Sequence, residues 1–271
     1  MYSKGYKDDI TKQPLLDGLI DAARAKELEY FGSKGVWIKK PKGEAFAKTG
    51  RPPISVRWVD VNKGDDQCPN YRSRLVARQL KATDTSGESF FSPTPPLEAL
   101  RAVLSMATTS CKGYRPNRDP KHADRTQVSM VDISRAYFNA KKDPDDLTYV
   151  ALPSEDPDSQ GMCGLLARHM YGTRGAADGW QEEYSTSLVD MGFVQGMSSA
   201  CVFVHQGRGL FCTVHGDDFT TVGGKIGLDW FEGELKKRYE LTVGPRLGPG
   251  EFDAKEATVL NRVVRWTEEG L

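Results

Sequence analysis

Two short apolar runs, each leading into acid, constrain this chain more than any other feature. Val128 to Val131 runs into Asp132 in S-M-V-D-I-S-R-A-Y-F-N-A, and Leu210 to Val214 leads to Asp217-Asp218 in L-F-C-T-V-H-G-D-D-F-T-T-V. Runs of this length, rich in β-prone residues, read as strands, and Gly216 is placed to close a tight hairpin beside the acid pair. Carboxylates at two strand ends suit Mg²⁺, which takes one or two protein carboxylates and keeps its other positions for water and phosphate oxygens. Two such ions about 4 Å apart can clamp the attacking and leaving oxygens of an in-line displacement. The pattern points to nucleotidyl transfer in a chain that has no phosphate-binding glycine loop.

An acid pair alone says little, because Asp65-Asp66 and Asp145-Asp146 also occur and read as solvated loop charges. Only Asp217-Asp218 lies between two β-prone segments. Neighbours in a regular strand face opposite sides, so the turn is what could bring both acids to one metal, and Asp217 is the safer ligand.

Hydrophobic residues at 38% and charged residues at 27% suit a globular chain with a sizeable core. No segment approaches the roughly 18 consecutive apolar residues of a membrane span. The start, M-Y-S-K-G-Y-K-D-D-I, lacks an apolar signal core, so an intracellular protein is expected, in a cytoplasmic particle or the nucleus. The five cysteines include no C-x-x-C pair, which fits reduced thiols and disfavours zinc. The formal net charge is zero, yet Ser33 to Lys81 holds twelve basic and four acidic residues. Such a local excess supplies phosphate affinity where it faces nucleic acid, and is otherwise a solvated basic face.

Residues 14–31 read as a helix with Leu16, Leu19, Ile20, Ala23, Leu28 and Phe31 on one face. R-S-R-L-V-A-R reads as an edge strand lined with arginines. Thr94-Pro95-Pro96 opens a helix carrying Leu97, Leu100, Leu104 and Ala107. A polar loop from Gly113 to Thr126 leads to the Asp132 strand. A further helix follows Gly175, with Trp180, Tyr184, Leu188 and Met191 as a core stripe. A strand over Ala200–His205, the acid hairpin and a helix over Asp229–Tyr239 complete an α+β order, with helices on one side of an antiparallel sheet.

The series R-S-R-L-V-A-R, F-F-S-P-T, V-D-I-S-R-A-Y-F-N-A, M-Y-G-T-R-G-A-A-D-G-W, M-G-F and H-G-D-D-F resembles the reverse transcriptase of copia-type retrotransposons, in order and spacing, over roughly Ala22 to Tyr239. The resemblance implies a right-hand polymerase with an antiparallel palm sheet backed by helices and a truncated thumb. It assigns 1–35 to an N-terminal helical segment, about 36–93 and 142–168 to fingers, about 94–141 and 169–242 to palm, and 243–271 to a partial thumb or connection. Asp132, Asp217 and Asp218 would be the catalytic carboxylates holding two Mg²⁺, with Mn²⁺ as a substitute. Tyr137 falls where the aromatic beneath the incoming sugar belongs, with a packed core aromatic as the alternative. Arg72 and Arg74 fall where the fingers strand offers cations to the triphosphate. Implied partners are a primed RNA or DNA template and deoxynucleoside triphosphates.

The chain departs from the family pattern in two places. His215 and Gly216 replace the usual aromatic and aliphatic residues before the aspartates. Thr173-Arg174-Gly175-Ala176-Ala177-Asp178 stands where the family has L-K-Q-A-P-R, so the glutamine expected near the nucleotide is absent at Gly175. A fragment of a larger polyprotein or a decayed insertion is expected. The rival readings are a non-catalytic template-binding remnant and an unrelated metal-dependent phosphatase or nuclease.

Overall fold

The computed structural model describes residues 5–65, 67–79 and 95–271; F-F-S-P-T, Asp66 and Lys81 lie outside them. In chain order the elements are α1 (Asp17–Lys34), β1 (Trp37–Pro41), α2 (Lys42–Thr49), β2 (Val56–Asn62), β3 (Tyr71–Ala77), α3 (Leu97–Ser105), β4 (Thr126–Ile133), β5 (Tyr149–Ala151), β6 (Met162–Leu166), α4 (Ala176–Asp190), β7 (Val194–Gln195), β8 (Val202–His205), β9 (Leu210–His215), β10 (Asp218–Gly224), α5 (Lys225–Arg238), β11 (Leu241–Val243), β12 (Glu256–Val259) and β13 (Arg262–Arg265). Among the described residues the strands pair antiparallel throughout, in a mixed fold of helices and sheets. The chain divides into two compact units, residues 1–90 with 137–180 and residues 91–136 with 181–271.

The first unit holds the sheet β1-β6-β5 and the ribbon β2-β3. Its core gathers Phe31, Val36, Leu75, Ala77, Phe138, Val150, Leu166 and Met170. On α1, Ile20 and Phe31 are buried as expected, but Leu16 and Leu19 are exposed and Glu27 takes a buried place. Charge explains the exchange: Glu27 lies 2.9 Å from the Arg74 guanidinium on β3. Gly172, in M-Y-G-T-R-G, has φ +82, and a Cβ there would stand 2.0 Å from the Ala77 carbonyl oxygen. The bare backbone lets this segment pair with the end of β3, where the Ala77 amide donates to Tyr171 at 2.8 Å.

The second unit is built on the six-stranded sheet β11-β4-β10-β9-β8-β7. Register fixes its two faces. Val128 opposes Val222 and Asp132 opposes Asp218 on one face, while Ser129 opposes Thr221 and Val131 opposes Phe219 on the other. The helices take both faces, not one. On the Val128 face, Leu100, Val103, Leu104 and Ala107 from α3 and its C-terminal turn form a core with Val128, Val222, Leu247, Val259 and Trp266. On the opposite face Glu232 of α5 accepts the Ser129 hydroxyl proton at 2.6 Å, and Tyr184 of α4 meets the Phe219 ring edge-on. The apolar residues at the Val128 end of the first face need cover, and α3 supplies it. Trp180, Tyr184 and Leu188 of α4 are buried, as the stripe predicts.

Residues beyond β11 wrap the same unit. Asp253 accepts from both Nε and Nη2 of Arg125 at 2.6 Å, from Gln127 at 2.6 Å and from the Gly250 amide at 2.8 Å. Arg246 pairs with Asp229 and Glu232, each at 2.8 Å.

Candidate functional site

Asp132 ends the regular part of β4 as an exposed residue on a strand otherwise largely buried. Arg135, with φ +50, then turns the chain away. Across from it, β9 and β10 are joined by the two residues Gly216 and Asp217. Gly216 has φ +63, the left-handed conformation that a two-residue hairpin turn asks of glycine.

The turn length decides which acid meets Asp132. Asp218 is its direct cross-strand partner, and on its other side Asp218 pairs with His215. Asp132 in turn opposes Thr242 on β11. Cross-strand partners share a face, with Cβ atoms roughly 4.5–5.5 Å apart. His215, Asp218, Asp132 and Thr242 therefore form one row across four strands. Asp217 sits in the turn, where its carbonyl accepts from the Ile133 amide at 2.9 Å. The sequence favoured Asp217 as the safer ligand and paired it with Asp132; the register makes Asp218 the direct cross-strand partner of Asp132 and leaves Asp217 in the adjoining turn.

The row lies in a cavity of about 490 Å³ whose wall also includes Met130, Thr220, Gly244 and the turn Val259-Leu260-Asn261 between β12 and β13. The Asp218 carboxyl is pushed above the usual aspartate value, first by partial burial and then by the negative charges of Asp217 and Asp132, with His215 pulling the other way. Converging oxygen donors whose mutual repulsion a cation would relieve fit a hard divalent ion by their chemistry. Among the described residues, no three His, Cys, Asp or Glu side chains are drawn together closely enough to enclose one.

The remaining predicted residues lie in the first unit. Arg72 and Arg74 alternate along β3 and so share a face of the ribbon, opposite Val61 and Val59. Arg74 is engaged by Glu27, whereas Arg72 is exposed. Tyr137 begins to pack in a short 3₁₀ turn, Ala136–Asn139, with its ring centroid 4.6 Å from that of Tyr171. The other acid pairs behave as loop charges: Asp65 accepts from the Gln67 and Cys68 amides, and Asp146 pairs with Lys142.

Sequence reasoning noted His215 only as a departure from a pattern and did not single out Thr242 or Asn261. His215 could have been placed from the two-residue turn, which makes it the partner of Asp218. Thr242 and Asn261 carry no such local signal.

Known proteins point the same way. The family described as "Reverse transcriptase (RNA-dependent DNA polymerase)" matches residues 45–245. The chain is 28% identical over 187 residues to the "Retrovirus-related Pol polyprotein from transposon RE2" of Arabidopsis thaliana, covering 64% of this chain and 12% of that protein. It is 26% identical over 181 residues to the corresponding polyprotein from transposon RE1 of the same plant, covering 63% of this chain and 11% of that one. The matched part is thus a small fraction of these relatives. No helix among the described residues is long and apolar enough to cross a membrane. With most of its length matched, the chain belongs to the reverse transcriptase (RNA-dependent DNA polymerase) family.

Proposed function

We propose that this chain is the RNA-directed DNA polymerase domain of a copia-type retrotransposon polyprotein. It would join deoxynucleotides to a primer 3′-hydroxyl on an RNA or DNA template. One observation carries the reading: within a segment matching that family, Asp132 and Asp218 are direct cross-strand partners beside Asp217.

Asp132, Asp217 and Asp218 would hold two Mg²⁺, or Mn²⁺ in their place, and such ions supply Lewis-acid stabilisation to the attacking and leaving oxygens. The chain's own contribution is positioning and charge, as in phosphoryl transfer generally. The row on β9, β10, β4 and β11 holds Asp132 and Asp218 on the sheet, with Asp217 in the turn between β9 and β10. Of the two fingers arginines, Arg72 would serve the triphosphate, because Arg74 is committed to Glu27. Tyr137 would lie beneath the sugar and exclude a 2′-hydroxyl, the group that separates RNA from DNA building blocks.

In right-hand terms we assign about 36–93 and 142–168 to fingers, about 94–141 and 169–242 to palm, 1–35 to an N-terminal helical segment and 243–271 to a partial thumb or connection. A second reading, a template-binding remnant without chemistry, is favoured by Gly175 in place of a glutamine. Incubating a labelled primer on RNA and DNA templates with deoxynucleotides and Mg²⁺ separates the readings. Extension supports the polymerase, binding without extension supports the remnant, and shortening of the primer points to a nuclease.

A further inference from the structure

We propose that a cavity in the first unit, lined by Arg51 and Arg78, binds the phosphate of a nucleotide, free or within a single strand. The inference does not draw on the acid row, so it holds equally for a polymerase and for a template-binding remnant.

The basic excess between Ser33 and Lys81 needs a destination. Much of it is spent inside the unit: Lys39 pairs with Asp156 and Asp158, Lys48 with Glu44, Arg57 with Asp9 and Arg74 with Glu27. Two further cations meet at one place. A cavity of about 390 Å³ is walled by the loop from Thr49 to Ser55, by Arg78 and Gln79 after β3, and by Leu147 to Tyr149 leading into β5. Among the described residues its wall holds two arginines and no Asp or Glu. Both arginines are exposed, and no carboxylate among the described residues pairs with Arg78. Like charges brought together repel, and an anion between them relieves that cost.

Two acids touch this wall from outside, and both are already matched. The Tyr149 hydroxyl donates to Glu44 at 3.0 Å, and Glu44 pairs with Lys48 at 3.1 Å. The Thr148 hydroxyl donates to Asp146 at 2.7 Å, and Asp146 pairs with Lys142. Each carboxylate thus has a cation of its own.

The wall is a fixed frame. The Ile54 amide donates to Tyr149, the Ala151 amide to Ile54 and the Arg78 amide to Ser55, each at 2.8 Å. Gly50, with φ 68, ends α2 just before Arg51, and the rings of Pro52 and Pro53 fix φ just after it. Arginine's planar fork suits phosphate oxygens, while the prolines and Leu147 offer apolar surface to a sugar or base. The volume lies at the lower end of small-molecule sites, roughly 300–1,000 Å³, which suits one nucleotide unit rather than a duplex.

The test uses the whole 271-residue chain with a chelator present, so that no metal-dependent binding enters. The probes are a labelled oligothymidylate followed by fluorescence anisotropy, thymidine 5′-monophosphate as competitor, and thymidine as the competitor without phosphate. In Arg51→Gln/Arg78→Gln, affinity for the oligonucleotide should fall on the order of tenfold. The slope of log affinity against log salt should become shallower by about 0.7–1.4, the loss of one or two phosphate contacts. Lys112→Gln/Lys121→Gln removes the same charge from exposed positions outside the wall and should change both far less. Displacement of the oligonucleotide by thymidine monophosphate assigns the site to a free nucleotide, and displacement by unlabelled oligonucleotide alone assigns it to a strand. Equal losses in the two double variants, or thymidine competing as well as its monophosphate, overturn the proposal and leave the acid row untouched. No binding of any probe by the parent overturns it too. Should the arginine variant fail to fold by circular dichroism, phenylglyoxal modification of the parent, read by peptide mass, decides. The phosphate-bearing probes should shield Arg51 and Arg78, and modification that ignores them sinks the site.

Discussion

Tyr137 and His169 show how much a single side chain's surroundings say about its task. Tyr137 is half-buried against Tyr171 in the first unit, a setting that suits a floor for a ring as well as a packed aromatic. If it underlies the nucleotide sugar, Tyr137→Ala incorporates ribonucleotides more readily than the parent by about tenfold or more, the equivalent of losing roughly 1.4 kcal/mol of discrimination. Competition between ribo- and deoxynucleotides on one primer measures this, and equal discrimination in both proteins returns Tyr137 to packing. His169 is half-buried with its Nδ1 unpartnered among the described residues. Its pKa is lowered from 6.5 to about 4, by burial first and then by the Lys142 ammonium, with Asp146 opposing. Gly179 makes room for the ring, since a Cβ there would stand 2.1 Å from Nε2. A histidine whose folded pKa is depressed stays neutral while the unfolded chain takes up a proton. Its contribution is therefore full above about pH 6.5 and is lost as pH falls toward 4. After solvent screening of a half-exposed group, we expect a loss on the order of 1–2 kcal/mol over that window. Denaturant unfolding at several pH values should show a shallower acid slope in His169→Gln than in the parent; equal slopes would refute it.

At the scale of elements, what the sequence reveals depends on whether the cause is local. The β4 run, the acid hairpin, α3 after its proline pair and the buried stripe of α4 were all legible, because periodicity and turn residues carry them. The start of α5 was not. The helix begins at Lys225, one turn before the expected Asp229, and the Ile226 amide is capped at 2.8 Å by Asp124, 102 residues earlier in the chain. The Glu27–Arg74 pair is likewise invisible locally, which is why Leu16, just before α1, and Leu19 were assigned to a face that a charge occupies. The opposition of Asp132 to Asp218 rather than Asp217 follows from register across a non-local strand pair, and a one-residue slip would reverse it. Non-local charge also holds the segment after β11 in place. Arg246 joins Glu232 and Asp229 of α5 and reaches Gln127 of β4. Arg246→Met leaves the buried Glu232 carboxylate without its cation and should cost about 3 kcal/mol. That corresponds to a fall in Tm of roughly 6–12 °C. An Arg246→Met/Glu232→Gln double variant should recover part of the loss, because the neutral amide can still accept from Ser129. No recovery would mean that the charge pair is not the cause.

For the whole molecule, the cations of the last residues that would face a duplex are largely spent on the protein itself. Arg246 is paired as above, Arg265 pairs with Glu256 at 2.6 Å, and Lys255 donates to the Gly248 and Gly250 carbonyls at 2.7 Å. With phosphate contacts supplying most non-specific affinity, we expect weak hold on primer and template and short products. Gly175 adds to this, since a positioning error of about 1 Å can cost on the order of a hundredfold in rate. The central claim is that the acid row performs nucleotidyl transfer. Single-turnover extension tests it most directly: excess protein, low salt, a primed template, one deoxynucleotide, and Mg²⁺ or Mn²⁺. The account predicts addition of one nucleotide by the parent. It also predicts a loss of about a thousandfold or more in Asp132→Asn and Asp218→Asn, matching several kcal/mol of transition-state stabilisation, with circular dichroism unchanged. No addition by the parent under these conditions, or addition that survives either substitution, would contradict it.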